Sequence, residues 1–266
     1  MADNKLLGVN GLYFGVNEIS KAFMGNNLVW EKAGEAGPDY SKEYFCIEAV
    51  ENCDIIFEPY SGKVENGHSF EYIIFRGGAY GRPPMDYLYD KFVNGDYDVF
   101  DPYSDHTLII SLYVGDIIYM IGNMDKGIST YNTSISNIFT FSGKVNLSGN
   151  IMSLTHGLHR NTLEPTLPED LPEKTYTSSN GELVRLFTNQ PVVDAENLVL
   201  SSMTLHDYTY WQMFYGCTYL TTAPELPATT LTYYCYRGMF YGCTSLLTAP
   251  ELPATTLADS CYREMF

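Results

Sequence analysis

The chain has 266 residues, 45% of them hydrophobic and only 18% charged, with 23 Tyr, 22 Gly and a net charge of −17. This is enough apolar content for a buried core and enough length for one to three domains, and richness in Tyr, Thr and Gly with short alternating runs favours β structure. No basic stripe exists to neutralise phosphates, so nucleic acid is not an expected partner, and an anionic membrane surface is disfavoured for the same reason.

The N-terminal MADNKLLGVNGLYFGVNEIS has no basic region followed by an uninterrupted apolar stretch, so it does not read as a secretory signal. No segment approaches the ~20 apolar residues of a membrane span, and membrane insertion is not expected. Folding in a reducing cytoplasm follows, with the six Cys as thiols rather than bridges. Residues 1–38 hold a small duplication, YFGVNEI (Tyr13–Ile19) and FMGNNLV (Phe23–Val29), each an aromatic, a Gly, a polar pair and an aliphatic end. Apolar runs broken by Gly and Asn predict two β-hairpins, too small to stand alone. This module needs a partner surface, and Tyr13, Phe14, Phe23, Met24 and Trp30 are its candidate anchoring residues. EKAGEAGPD (Glu31–Asp39) reads as a linker.

From 39 to 155 the text is strand-like: EYFCIEAV, SFEYIIF, HTLIISLYV, DIIYMIG and SNIFTFSGKVNLSGNIMSL, separated by turn-rich breaks. Five or more short strands predict an antiparallel β-sandwich, with no stretch of helical period long enough for a helix. Residues 156–181 are a Pro-rich, acidic connector.

Residues 182–266 are repetitive. Met213–Gly238 and Met239–Glu264 are 26-residue units identical at 20 positions, and Met265-Phe266 begins a third in register. Asp194–Phe214 is a degenerate copy in which Ala195, Leu198 and Leu205 answer Ala223, Leu226 and Leu231, and LVRLF (Leu183–Phe187) is the tail of a coil before it. A fixed period in the twenties predicts a solenoid. Each unit is expected to hold a short helix over ATTLADSCYREMF, capped by Thr255 or Thr256, with Leu257, Cys261 and Met265 on one face. Gly242 is then the left-handed C-cap, and a Pro-bounded corner leaves a short strand face. The units differ at Tyr219/Ser245, Thr221/Leu247, Thr232/Ala258, Tyr233/Asp259, Tyr234/Ser260 and Gly238/Glu264. Such swaps are expected where water reaches. Cys217, Leu220, Ala223, Leu226, Leu231, Cys235, Met239 and Phe240 are expected inside. With no polar cap in the sequence, the solenoid is expected to continue beyond residue 266.

MFYGCTSLLTAPELPATTLADSCYREMF resembles the BspA-like leucine-rich-repeat surface proteins of gut bacteria and their phages, over roughly the last 70–80 residues. FSGKVNLSGNIMSL, followed by a connector and repeats, looks like the β-domain that precedes such repeats. LYFGVNEISKAFMGNNLVW is similar to N-terminal modules in structural proteins of tailed phages of gut Bacteroidales, crAss-like phages among them. The resemblance implies a mainly β fold with some α: N-terminal β-hairpin module, antiparallel β-sandwich, and C-terminal leucine-rich-repeat solenoid.

His156 and His159 lie three apart in the connector without a zinc-spaced partner, and read as loop histidines. Cys217, Cys235, Cys243 and Cys261 follow the repeat and read as a buried ladder; Cys46 and Cys53 also read as buried thiols. Asp96, Asp98 and Asp101 have oxygen-ligand spacing for Ca²⁺, but the EF-hand Gly and distal Glu are missing, which favours an acidic turn. RGGAYGRPP reads as a turn, not a phosphate loop. No catalytic residue, metal site or cofactor is assigned. Nine of the 23 Tyr lie between Tyr208 and Tyr262, and Tyr219, Tyr233, Tyr234 and Tyr241 are the candidate ligand-binding residues.

The expected function is that of a non-enzymatic virion structural protein of the head- or tail-fibre type, assembled in the host cytoplasm. Residues 1–38 would hold other virion proteins, and the repeats would project to a host-surface glycan or protein. The resemblance implies a homo-oligomer, with a trimer as the expected form. An exported bacterial cell-surface adhesin is the alternative and needs an export route. A glycan-degrading enzyme is the second alternative and needs two suitably spaced carboxylates; acids are plentiful, but nothing selects a pair.

Overall fold

The structure, a computed structural model, is described for residues 12–14, 17–19, 21–24, 27–31, 43–57, 70–76, 82–100, 107–122, 139–156, 183–202 and 205–266. The chain divides into two units, Met1–Asp39 and Tyr40–Phe266. In the first, the two short duplicated runs each fold back on themselves. Strands β1 (Leu12–Phe14) and β2 (Asn17–Ile19) form one antiparallel hairpin, and β3 (Lys21–Met24) and β4 (Asn27–Glu31) the other. Asn17 and Asn27 open the second strand of each hairpin, paired with Phe14 and Met24.

The second unit is mainly β. Its strands are β5 (Phe45–Ala49), β6 (Cys53–Phe57), β7 (Phe70–Phe75), β8 (Asp98–Phe100), β9 (Leu108–Leu112), β10 (Ile117–Gly122), β11 (Phe139–Phe141), β12 (Val145–Asn150), β13 (Val192–Asp194) and β14 (Leu198–Val199). One sheet runs β13-β12-β5-β10-β7-β8, with β14 also on β12; a second runs β11-β6-β9. Strand alternation decides which side chain meets which layer. Phe45 and Ile47 of β5, Ile118 and Met120 of β10, and Phe70 and Tyr72 of β7 enter the core shared with Ile55, Phe57, Ile110 and Phe139 of the second sheet. Rings cross between the layers, Phe57 to Tyr72 at 6.3 Å and Phe70 to Phe139 at 6.1 Å.

The opposite faces of the same strands are also apolar. Cys46, Ile73, Ile117, Tyr119 and Ile121 form a second core with Leu88 and Phe92. These last two belong to a helix, α1 (Met85–Asn94), in a stretch where the sequence predicts none. Leu88 and Phe92 are spaced i, i+4 and bury one narrow stripe; Gly95 ends the helix at φ +75°, the left-handed value that Gly adopts without penalty. A single turn, α2 (Ser153–His156), follows β12, and its Ser153 hydroxyl donates to the Met120 carbonyl and accepts from the Phe45 N–H.

Within residues 39–155 the described strand ladders are all antiparallel, as the sequence predicts; the parallel pairing comes from outside that range. β12 pairs antiparallel with β5 but parallel with β13 and β14, so the sheet passes directly into the first repeated coil. Gly149 permits this, since at φ +77° an added Cβ would collide with the Tyr44 carbonyl. One column of stacked rings then links both parts: Phe45 to Phe187 at 6.1 Å, Phe187 to Phe214 at 5.5 Å, Phe214 to Phe240 at 5.8 Å, and Phe240 to Phe266 at 5.9 Å.

Within each coil the predicted helix is replaced by a chain of tight turns. Tyr208, Gln212 and Gly216 have positive φ, as do Tyr234, Gly238 and Gly242 one coil later and Ser260 and Glu264 after that. A left-handed residue every fourth position reverses the path too often for a helix to propagate. N–H groups instead alternate. Trp211, Met213 and Tyr215 donate three residues back within the coil, while Tyr210, Gln212 and Phe214 donate to Cys235, Arg237 and Met239 of the next coil. Every second donor thus joins neighbouring coils, which satisfies buried backbone without regular secondary structure. The strand face is short, as the prolines require, and is reduced to bridges such as Asp194–Thr222 and Thr230–Thr256.

Candidate functional site

The repeat's inside and outside follow the differences between its two clean units. Cys217, Leu220, Leu226, Leu231, Cys235, Met239 and Phe240 are buried, and Ala223 is partly so. Of the twelve residues at the six differing positions only Gly238 is buried; the rest are partly or fully exposed. In the last coil Leu252 and Leu257 are exposed, with one neighbouring coil instead of two.

The cysteines stack in phase. The Cys217 thiol donates to the Phe187 carbonyl at 2.9 Å and the Cys243 thiol to the Phe214 carbonyl at 3.0 Å, each reaching back one coil. Burial pushes Cys243 up to about 11 and Cys235 up to about 12, so both stay protonated at neutral pH and act as small hydrophobes.

Of the four candidate tyrosines, the structure brings Tyr233 and Tyr234 together, with ring centroids 4.0 Å apart. Tyr208 joins them, at 5.5 Å from Tyr233 and 5.3 Å from Tyr234, and Trp211 packs edge-on against Tyr208. Tyr233 is held in place by its N–H, which donates to Asp207 Oδ1. Two guanidiniums cover the flanking rings, Arg237 over Tyr234 at 4.6 Å and Arg185 over Trp211 at 4.8 Å. Both are fixed at their heads: Arg185 donates to Gln212 Oε1, and Arg237 to Glu264 Oε2. A hydrogen bond between the two phenols lifts Tyr233 above the ordinary tyrosine range and holds Tyr234 below it, with Arg237 adding to the second effect.

Tyr219 and Tyr241 lie apart from this cluster. Tyr219 sits under Lys144 of the sheet at 4.9 Å, and Tyr241 stacks on Tyr215 at 5.2 Å; no ring contact joins either to Tyr233 among the described residues. Sequence reasoning missed Tyr208, Trp211, Arg185 and Arg237. Tyr208 and Tyr234 occupy the same left-handed position of successive coils, a signal readable only once the 26-residue offset is applied upstream. The arrangement offers flat ring faces beside guanidinium, amide and carboxylate groups, which suits stacking and hydrogen bonding to a polar ligand.

Tyr13 and Phe14 fall on β1, Phe23 and Met24 on β3, and Trp30 on β4; their side chains are outside the described residues. Asp96 accepts from Lys91, Asp98 is exposed on β8, and Asp101 and His159 are outside the described residues. His156 ends α2, its ring against the Thr155 hydroxyl. Among the described residues no group of three His, Cys, Asp or Glu is arranged to hold a metal ion. A buried polar network surrounds Arg82, which donates to Glu43, Cys46 and Ser148. Burial raises the Cys46 thiol against the opposing pull of Arg82 and Ser148, so the network fixes β5 to β12 without supplying a thiolate. No described helix is long and apolar enough to cross a membrane.

No protein-family model, no curated protein and no solved structure matches this chain.

Proposed function

We propose that residues 182–266 are a leucine-rich-repeat solenoid of the BspA-like kind, and that the chain is a non-enzymatic structural protein of a phage virion. On this reading the hairpins of residues 1–38 bind other virion proteins, the β-sandwich is a spacer, and the repeats project toward a host-surface glycan or protein. The protein works as a homo-oligomer, with three chains as the expected number from the sequence resemblance. The observation that carries the adhesive role is the cluster of Tyr208, Tyr233, Tyr234 and Trp211. It sits where one unit has Tyr233 and Tyr234 and the next has Asp259 and Ser260, over an interior that stays the same. A scaffold that holds its buried column constant and varies its outward residues is suited to recognition.

Two measurements test the reading. Mass spectrometry of purified particles should find the chain, and its absence there refutes the virion role. Host cells should bind the full chain, and a Tyr208→Ser/Tyr233→Ser/Tyr234→Ser variant should bind at least about tenfold more weakly, the loss of two or more aromatic contacts. Wild-type binding by that variant refutes the adhesive role of the cluster.

A further inference from the structure

Charge is divided around the coil. After residue 181 the chain carries eight acids and three arginines, Arg185, Arg237 and Arg263. All three arginines lie on the turn-rich face, where Arg185 is committed to Trp211 and Gln212, and Arg237 and Arg263 to Glu264. Among the described residues the Pro-bounded corner is lined by acids without cations. There the repeated TAPELP segments, Thr222–Pro227 and Thr248–Pro253, wall a cavity of about 360 Å³ together with Glu196. Glu196, Glu225 and Glu251 are exposed at this cavity, and none has an ion-pair partner among the described residues.

We propose that this groove docks an extended protein segment carrying lysine or arginine side chains. Three features favour that occupant. First, Glu225 and Glu251 occupy the same phase of adjacent coils and line one cavity, so the groove repeats a negative charge once per coil. Second, the carboxylates do not converge: no group of three acids among the described residues is placed to hold a metal ion. Separate single charges along a groove match a row of cationic side chains better than one ion. Third, the coil spacing suits a peptide. Equivalent rings of successive coils lie 5.6 and 5.9 Å apart. Alternate residues of an extended or polyproline chain are about 6 to 7 Å apart, so every second side chain meets the next coil's carboxylate. Pro224, Pro227, Pro250 and Pro253 remove four N–H donors from the wall, leaving acceptors in excess for a donor-rich ligand. The apolar floor, with Ala223 and Leu226, accepts the methylene stems of lysine.

This surface is at a different part of the coil from the tyrosine cluster, and the proposal does not depend on the virion reading. The test uses the full chain and a fluorescein-labelled peptide in which lysine alternates with proline over three lysines. Fluorescence anisotropy is measured against wild type, a Glu225→Gln/Glu251→Gln variant, and an Asp86→Asn/Asp90→Asn variant that removes the same charge from α1. The groove variant should weaken binding about tenfold and the α1 variant less than about twofold, since local complementarity and not net charge sets the affinity. A thermal midpoint at or above the wild-type value shows that the groove variant is folded. The same peptide with acetylated lysines should not bind. Equal losses in the two variants mean that the peptide senses only the acidity of the whole chain, and that overturns the proposal. Undiminished binding by the groove variant, or binding of the acetylated peptide, overturns it as well.

Discussion

At the scale of the residue, the repeat is built on side chains that must stay neutral. Cys235 and Cys243 are held by burial at about 12 and about 11, against an ordinary value of 9.0. Tyr236, fully buried in the ring column between Tyr210 and Tyr262, is raised for the same reason. A group whose folded pKa lies above its unfolded value contributes stability below the unfolded value and loses it as pH rises toward the folded one. The coil should therefore weaken from about pH 9 upward. The urea midpoint should fall between about pH 8 and about pH 10.5, and a Cys235→Ala/Cys243→Ala variant, whatever its absolute stability, should show a shallower fall. An equal slope in wild type and variant means that the thiols do not drive the alkaline loss. All six cysteines are buried and free, so a thiol reagent should label none quickly in the native protein and all six after unfolding.

At the scale of the element, the turn chain depends on positions that tolerate a left-handed backbone. Gly216 and Gly242 hold the same place in successive coils, at φ +71° and +76°. At Gly242 a Cβ meets nothing closer than 3.6 Å, whereas at Gly216 it would land on Asn189 Oδ1. Gly242→Ala should thus cost only the backbone penalty of about 1–2 kcal/mol. Gly216→Ala should cost distinctly more by urea unfolding, because steric conflict adds to the same penalty. Similar losses for both would mean that Asn189 simply moves aside. The hairpins, most strands and the 26-residue period were legible in the sequence, because alternation and repetition are recorded in residue type. The turn chain was not, because Tyr208, Gln212, Tyr234 and Glu264 adopt positive φ without being residues that announce it. The spacing of Gly238 and Gly242, four apart, was the available sign. Helix α1 was hidden because exposed Tyr87 and Val93 blur its two-residue stripe. Its necessity, however, was written in β10, where Ile117 to Ile121 are apolar on both faces and so require a cover on each. Within the candidate site Tyr233 and Tyr234 were findable as neighbours, while the guanidiniums over the rings depend on contacts between coils.

At the scale of the whole molecule, the two sheets and the repeats share one core. β12 gives its free edge to β13 and β14, and Phe187 touches Phe45, Phe139 and Phe141 of the sheets as well as Phe214 of the next coil. A coil buries its apolar cross-section only against a neighbour, so the first coil needs the sheet as its cover. Residues 182–266 alone should lack a cooperative melt by circular dichroism, whereas residues 40–266 should unfold in one transition. Phe187→Ala removes a fully buried ring from the junction and should cost about 3–5 kcal/mol. The informative readout is where the loss is felt. In hydrogen exchange, the β10 amides of Ile118 and Met120 and the inter-coil amides of Tyr210 and Phe214 should lose protection together in this variant, because one cooperative unit has one opening free energy. Loss confined to the coil, with β10 unchanged, would show instead that the sheets fold independently and that the shared ring column is contact without cooperativity.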